Sequence, residues 1–200
     1  MEILMSRRKP VLVALVGLAA LPVMSAGCKD EVLPPQAVFD SRLEAASTGN
    51  CKHSGGLFSV GAFANTALDP NATSSVVKDG DSFGQGTASV SCSVKAAGDG
   101  FDVAASVALS GATGGLFRIE GKLKPNTTED QSGVYAIFTG RLSNGNYEQK
   151  DRTCIVSFEG AQGVAAGRVW GDIECPTAED TTAKSTCRAV AEFRFENCDQ

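Results

Sequence analysis

Apolar and polar residues alternate with a period of two along much of this chain, and that rhythm restricts it to strands with one buried and one wet face. Val90, Cys92 and Val94 alternate with Ser89, Ser91, Ser93 and Lys95. Phe101, Val103, Ala105, Val107 and Leu109 alternate with Asp102, Ala104, Ser106 and Ala108. Phe117, Ile119 and Leu123 interleave with Arg118, Glu120 and Lys122, and Ala189, Ala191, Phe193 and Phe195 with Arg188, Glu192, Arg194 and Glu196. In an extended backbone successive side chains point to opposite sides, so such runs are half-buried strands. Turn-forming residues punctuate them: Gly98-Asp99-Gly100, Gly114-Gly115, Asn144-Gly145-Asn146 and Gly160-Ala161-Gln162-Gly163. Cys154 to Phe158 and Val164 to Cys175 read as one hairpin, and Leu57 to Ala67 as a further strand ending at an Asp69-Pro70-Asn71 turn. Many short strands with almost no helical pattern predict an all-β, antiparallel β-sandwich or flattened barrel over residues 49–200.

Composition agrees with this and narrows the partners. The 200 residues suffice for one domain with accessories. Helix surfaces favour Leu, Glu, Lys and Arg, whereas this chain is rich in Gly, Ala, Ser, Thr and Val. Lys and Arg number 18 against 23 Asp and Glu, and the charges are scattered singly. Without clustered bases there is no footprint for phosphates, which argues against a nucleic-acid partner.

The first 28 residues follow a different plan. Arg7, Arg8 and Lys9 precede an uncharged apolar run from Val11 to Leu21, then Pro22, the small residues Ser25, Ala26 and Gly27, and Cys28. The run is too short to span about 30 Å of hydrocarbon and has the flanks of a secretion signal. With Ala26-Gly27-Cys28 it resembles the bacterial lipoprotein signal, although Ser25 stands where that family usually has Leu. The resemblance implies cleavage after residue 27 and attachment of lipid to Cys28, leaving residues 28–48 as lipidated terminus and tether. Within that tether Pro34-Pro35 stiffens the chain, and Val38, Phe39 and Leu43 could form one face of a short helix. Ser6-Arg7-Arg8 is followed by Pro10 and Val11, where a twin-arginine signal has an aromatic and an aliphatic residue, so Sec export is expected. By the same resemblance Lys29, rather than Asp, after the cysteine implies the outer membrane rather than the inner as the site of anchorage in the cell envelope.

Seven cysteines are an odd number for an exported protein. Assigning Cys28 to lipid leaves Cys51, Cys92, Cys154, Cys175, Cys187 and Cys198, which can pair completely as disulfides in an oxidising compartment. A zinc site would need closely spaced ligand pairs, and no two of these cysteines are close enough. Strand parity favours Cys175–Cys187, since both fall on apolar faces; elimination then leaves Cys154–Cys198 and Cys51–Cys92.

Catalytic signatures are sparse. His53 is the sole histidine, and no G-x-S-x-G elbow supplies a nucleophile for it. Asp79-Gly80-Asp81-Ser82-Phe83-Gly84 opens like a calcium loop, but Phe83 and Val90 stand where further ligands belong, so it reads as a polar turn. No cofactor or metal motif appears. Trp170, Tyr135 and Tyr147 are the candidate binding aromatics. In the strand from Arg168 to Cys175, Trp170 shares parity with Asp172 and Glu174, which puts its indole on the polar side unless a bulge intervenes. The leading expectation is a membrane-anchored, non-enzymatic domain that binds a protein, glycan or lipid or serves a structural role. The alternatives are a carrier holding an apolar ligand between two sheets, and a hydrolase using a carboxylate pair that sequence does not reveal.

Overall fold

The computed structural model describes residues 32–65, 71–84, 86–112, 114–125, 127–140 and 145–200. The expected signal segment, Cys28, most of the expected 69–71 turn and Asn144 lie outside these. The described residues contain no helix. Strands β1 (Gln36–Ala45), β2 (Gly55–Val60), β3 (Val77–Lys78) and β4 (Ser82–Phe83) come first. A meander follows: β5 (Gly86–Ala97), β6 (Gly100–Leu109), β7 (Gly115–Leu123) and β8 (Gln131–Thr139). Then come β9 (Tyr147–Glu148), β10 (Cys154–Ser157), β11 (Gly163–Ala165), β12 (Arg168–Asp180) and β13 (Ser185–Glu196). They form one antiparallel sheet, the all-β architecture that the alternation predicts, along the order β2-β1-β13-β12-β10-β8-β7-β6-β5-β4.

The sheet curls until its far side meets its beginning. The Val94 N–H of β5 donates to the Asp199 carbonyl at 2.8 Å, and the Asp199 N–H donates to the Cys92 carbonyl at 3.0 Å. The turn after β3 reaches the same strand, where the Val90 N–H donates to Asp79 Oδ1 at 2.8 Å. Asp81 Oδ2 accepts from the Lys78 N–H at 2.9 Å, so both carboxylates of the calcium-like sequence close a turn. Two layers result, and phenylalanines fill the space between them. Phe117 of β7 stacks on Phe39 of β1 at 4.4 Å and lies 5.2 Å from Phe138, 5.8 Å from Phe193 and 6.4 Å from Phe195. All five rings are fully buried.

Strand β1 corrects the expected tether. Residues 36–45 pair along their whole length with β13, from Gln36 opposite Glu196 to Ala45 opposite Cys187, so the domain begins well before residue 49 and Val38, Phe39 and Leu43 lie on a strand instead of a short helix. The true period is Ala37, Phe39, Ser41 and Leu43, all buried. Ser41 hides it by being polar, its hydroxyl donating to the Phe58 carbonyl at 3.0 Å. Val38 hides it further, because it is buried on the opposite side. The expected strand from Leu57 is also shorter, since the chain turns at Gly61 with φ +71°.

All six cysteines from Cys51 onward are paired, but as Cys51–Cys187, Cys92–Cys198 and Cys154–Cys175, not in the expected combinations. Parity placed the cysteines of β12 and β13 inward correctly. Register separates them: Cys175 faces Ala189, and Cys187 faces Ala178 beyond a bulge. On its other side Cys175 lies opposite Cys154 of β10, where Ile155 pairs with Glu174, and the two Cα atoms are 4.2 Å apart. The bulge takes in Pro176, which cannot donate to a ladder. The buried Gln149 fastens it by accepting from the Thr177 N–H and donating to its hydroxyl, both at 3.0 Å.

Asp180 closes the β12–β13 turn. It is 1% exposed, and its Oδ1 accepts the backbone N–H groups of Thr182 and Ala183 at 2.9 Å each. Gly145 packs so closely that a Cβ there would fall 2.7 Å from that oxygen. Asp180→Ala should cost about 1–3 kcal/mol, because it strands two donors. Asp180→Asn retains the acceptor and should cost less; thermal unfolding of the pair checks the order.

Candidate functional site

The outer face of β1, β13 and β12 carries a row-by-row set of charged side chains that the alternation drives out of the core. Register sets them in rows across the three strands. Asp40 stands opposite Glu192, and Glu192 opposite Asp172, so three carboxylates lie abreast. In the next row toward the start of β1, Val38, Arg194 and Trp170 are aligned. The bulge in β12 comes after Cys175, so Trp170 keeps the outward parity expected from the sequence. Its indole is half-buried, its N–H donates to Glu192 Oε1 at 3.0 Å, and the Arg194 guanidinium lies 5.2 Å from the ring centroid. One polar edge and one ring face of Trp170 are therefore engaged within the protein.

Arginines neutralise the flanking acids. Arg188 makes a two-pronged pair with Glu174, at 2.8 and 2.5 Å, and also pairs with Glu44. The Arg188 hydrogen bond holds the Glu174 carboxyl below its ordinary range, and Arg42 first, then Arg188, do the same for Glu44. Burial would raise Glu196, but Arg194, at 2.6 Å, and Gln36, at 2.8 Å, bring it below the usual value. Among the described residues no Lys or Arg forms an ion pair with Asp40, Glu192 or Asp172. Asp172 instead accepts from Gln162 Nε2 at 2.9 Å. Burial, with Asp172 and Asp40 beside it, pushes the Glu192 carboxyl above its ordinary range against the bonds from Trp170 and Gln162. The row lies at the junction of two open depressions of about 300 and 490 Å³ that share Asp40 and Glu192. One runs toward Arg188 and Glu174, and the other toward Phe63.

A carboxyl whose folded-state value is raised opposes folding once it ionises. That cost is absent below the unfolded-state value, grows as pH rises through the window up to the folded-state value, and stays constant above it. Glu192→Gln, which still accepts from Trp170, should therefore raise stability at pH 7 and lose this advantage below about pH 4. Urea unfolding of both proteins across that range measures it.

The other candidate aromatics do not join Trp170. Tyr135 is half-buried on β8, opposite Glu120, and its hydroxyl donates to Glu148 at 3.4 Å. Tyr147 is a core residue, 0% exposed, with its hydroxyl donating to Ser185 Oγ at 2.9 Å, so it presents no ring to a ligand. His53 is half-buried in the segment before β2, with its carbonyl beside the Cys51–Cys187 disulfide. Sequence reasoning missed the row itself. Asp172 and Glu192 are visible as outward positions, but only the alignment of β1, β13 and β12 brings them beside Asp40. Cys28 lies outside the described residues. No protein-family model, curated protein or solved structure matches the chain.

Proposed function

We propose that the protein is exported, anchored through lipid on Cys28, and acts outside the cytoplasm as a non-enzymatic binding domain. The observation that carries this reading is the complete pairing of the six cysteines from Cys51 onward, which leaves Cys28 as the odd one directly behind a signal-like segment. Disulfides of this kind persist in oxidising compartments. Two or three acyl chains on one residue give stable anchorage, where a single chain holds only reversibly. The outer membrane is the membrane we assign, on the Lys29 that follows Cys28.

The partner surface we assign is the outer face of β1, β13 and β12 around Trp170. Among the described residues no cation pairs with its central carboxylates, so it suits a partner that brings basic groups. The phenylalanine layer occupies the interior where an apolar cargo would sit, and this favours a surface role over a carrier. The carboxylates stand side by side in open depressions rather than facing each other across a cleft, which favours binding over hydrolysis.

Mass spectrometry of the protein extracted from membranes tests the reading. The expected result is a chain starting at Cys28, heavier by its acyl groups, that gains about six hydrogens on reduction, as three disulfides require. An intact segment 1–27, or free thiols among the six, overturns it.

A further inference from the structure

The same anchor reading, taken together with the structure, limits how far one end of the domain can stand from the membrane. The chain is tied to the domain at Pro34, whose carbonyl accepts from Asn197 Nδ2 at 3.1 Å, and at Pro35, whose carbonyl accepts from the Asp79 N–H at 3.0 Å. Only five residues, Lys29 to Leu33, separate Cys28 from Pro34. Fully extended, that link spans about 20 Å, and the headgroup layer takes up roughly a third of it. The end where β1 begins and β13 finishes is therefore held close to the lipid. The opposite end lies a ten-residue strand away, about 30 Å.

Surface chemistry selects the same end. Among the described residues the exposed large apolar side chains are Val32, 92% exposed, and Leu33, 59% exposed, and both sit in this link. Aliphatic side chains are cheap to place at a headgroup boundary.

We propose that the domain stands end-on upon the bilayer, with the Gln36–Glu196 end against the headgroups and Val32 and Leu33 in the interface. This rests on lipidation of Cys28. It leaves the Trp170 face open to solvent for a partner.

Amine labelling of the lipidated full protein on phosphatidylethanolamine–phosphatidylglycerol vesicles tests it. Lys78, exposed and paired with Gln36, marks the near end, while Lys184 and Lys150 mark the far end. Relative to a soluble Cys28→Ser protein, label at Lys78 should fall severalfold and label at Lys184 and Lys150 should not change. Insertion of about 15 Gly/Ser residues between Glu31 and Val32 frees the domain to move away and should restore Lys78 without releasing the protein from vesicles. A protein that fails to float with the vesicles overturns the anchor and this inference together. One that floats with Lys78 fully labelled, or with Lys184 protected, overturns the end-on placement alone.

Discussion

Phe117→Ala is expected to lower unfolding stability by about 3–5 kcal/mol, the range for emptying a fully buried aromatic site. Phe117 touches rings from both layers: Phe138 beside it on β8, and Phe39, Phe193 and Phe195 of β1 and β13 across the core. Strands β1 and β7 are five places apart in the sheet order, so the stacked pair Phe39–Phe117 reports directly on the packing of one layer against the other. Urea unfolding in a Cys28→Ser background measures the loss. Phe101→Ala, at a half-buried ring on the edge of the core, serves as control and should cost clearly less. A Phe117→Ala loss no larger than the control would mean that the layers do not meet through this ring.

Removing disulfides should have effects of similar size, graded by the length of chain each one closes. Cys51–Cys187 spans 136 residues and Cys92–Cys198 spans 106, whereas Cys154–Cys175 spans only 21. On the chain-entropy account, replacing either long-range pair by serines costs about 4–5 kcal/mol and the short pair about 3. The ranking separates the observed connectivity from the one that parity alone favours. There, Cys175–Cys187 would close the smallest loop, and Cys154→Ser with Cys198→Ser would remove one bridge instead of breaking two. Peptide mapping without reduction gives an independent check, since a Cys154–Cys175 linked pair is expected.

These pairings show where sequence reading reaches and where it stops. Period-two alternation identified β5, β6, β7 and β13, because in each a full row of apolar side chains faces one way. It failed at β1, where Ser41 holds an inward position and Val38 is buried outward, so that Val38, Phe39 and Leu43 imitate a helical stripe. The expected hairpin did not give the Cys154–Cys175 bridge either, since a turn at Gly160–Gly163 would set Cys154 opposite Val169, whereas β10 pairs with β12 in the register Ile155–Glu174 and the tight hairpin is β11 with β12. The other two bridges join segments more than 100 residues apart, and no local pattern fixes that register. The carboxylate row was out of reach for the same reason, since Asp40 meets Glu192 only once β1 has found β13. The outward side of Trp170 was legible because it depends on local parity alone.

The pairing of β1 with β13 also has a consequence in time. Gln36 and Glu196 are 160 residues apart, and β13 is the strand that both β1 and β12 hydrogen-bond to. A nascent chain that has grown only to residue 184 holds two strands whose shared neighbour has not been made. Such long-range closure is slow compared with local turns, and it delays completion of the sheet until nearly the whole chain is available. Order of synthesis thus works as a timer: the β5–β8 meander can pair as it is made, but the sheet closes only once its last strand arrives.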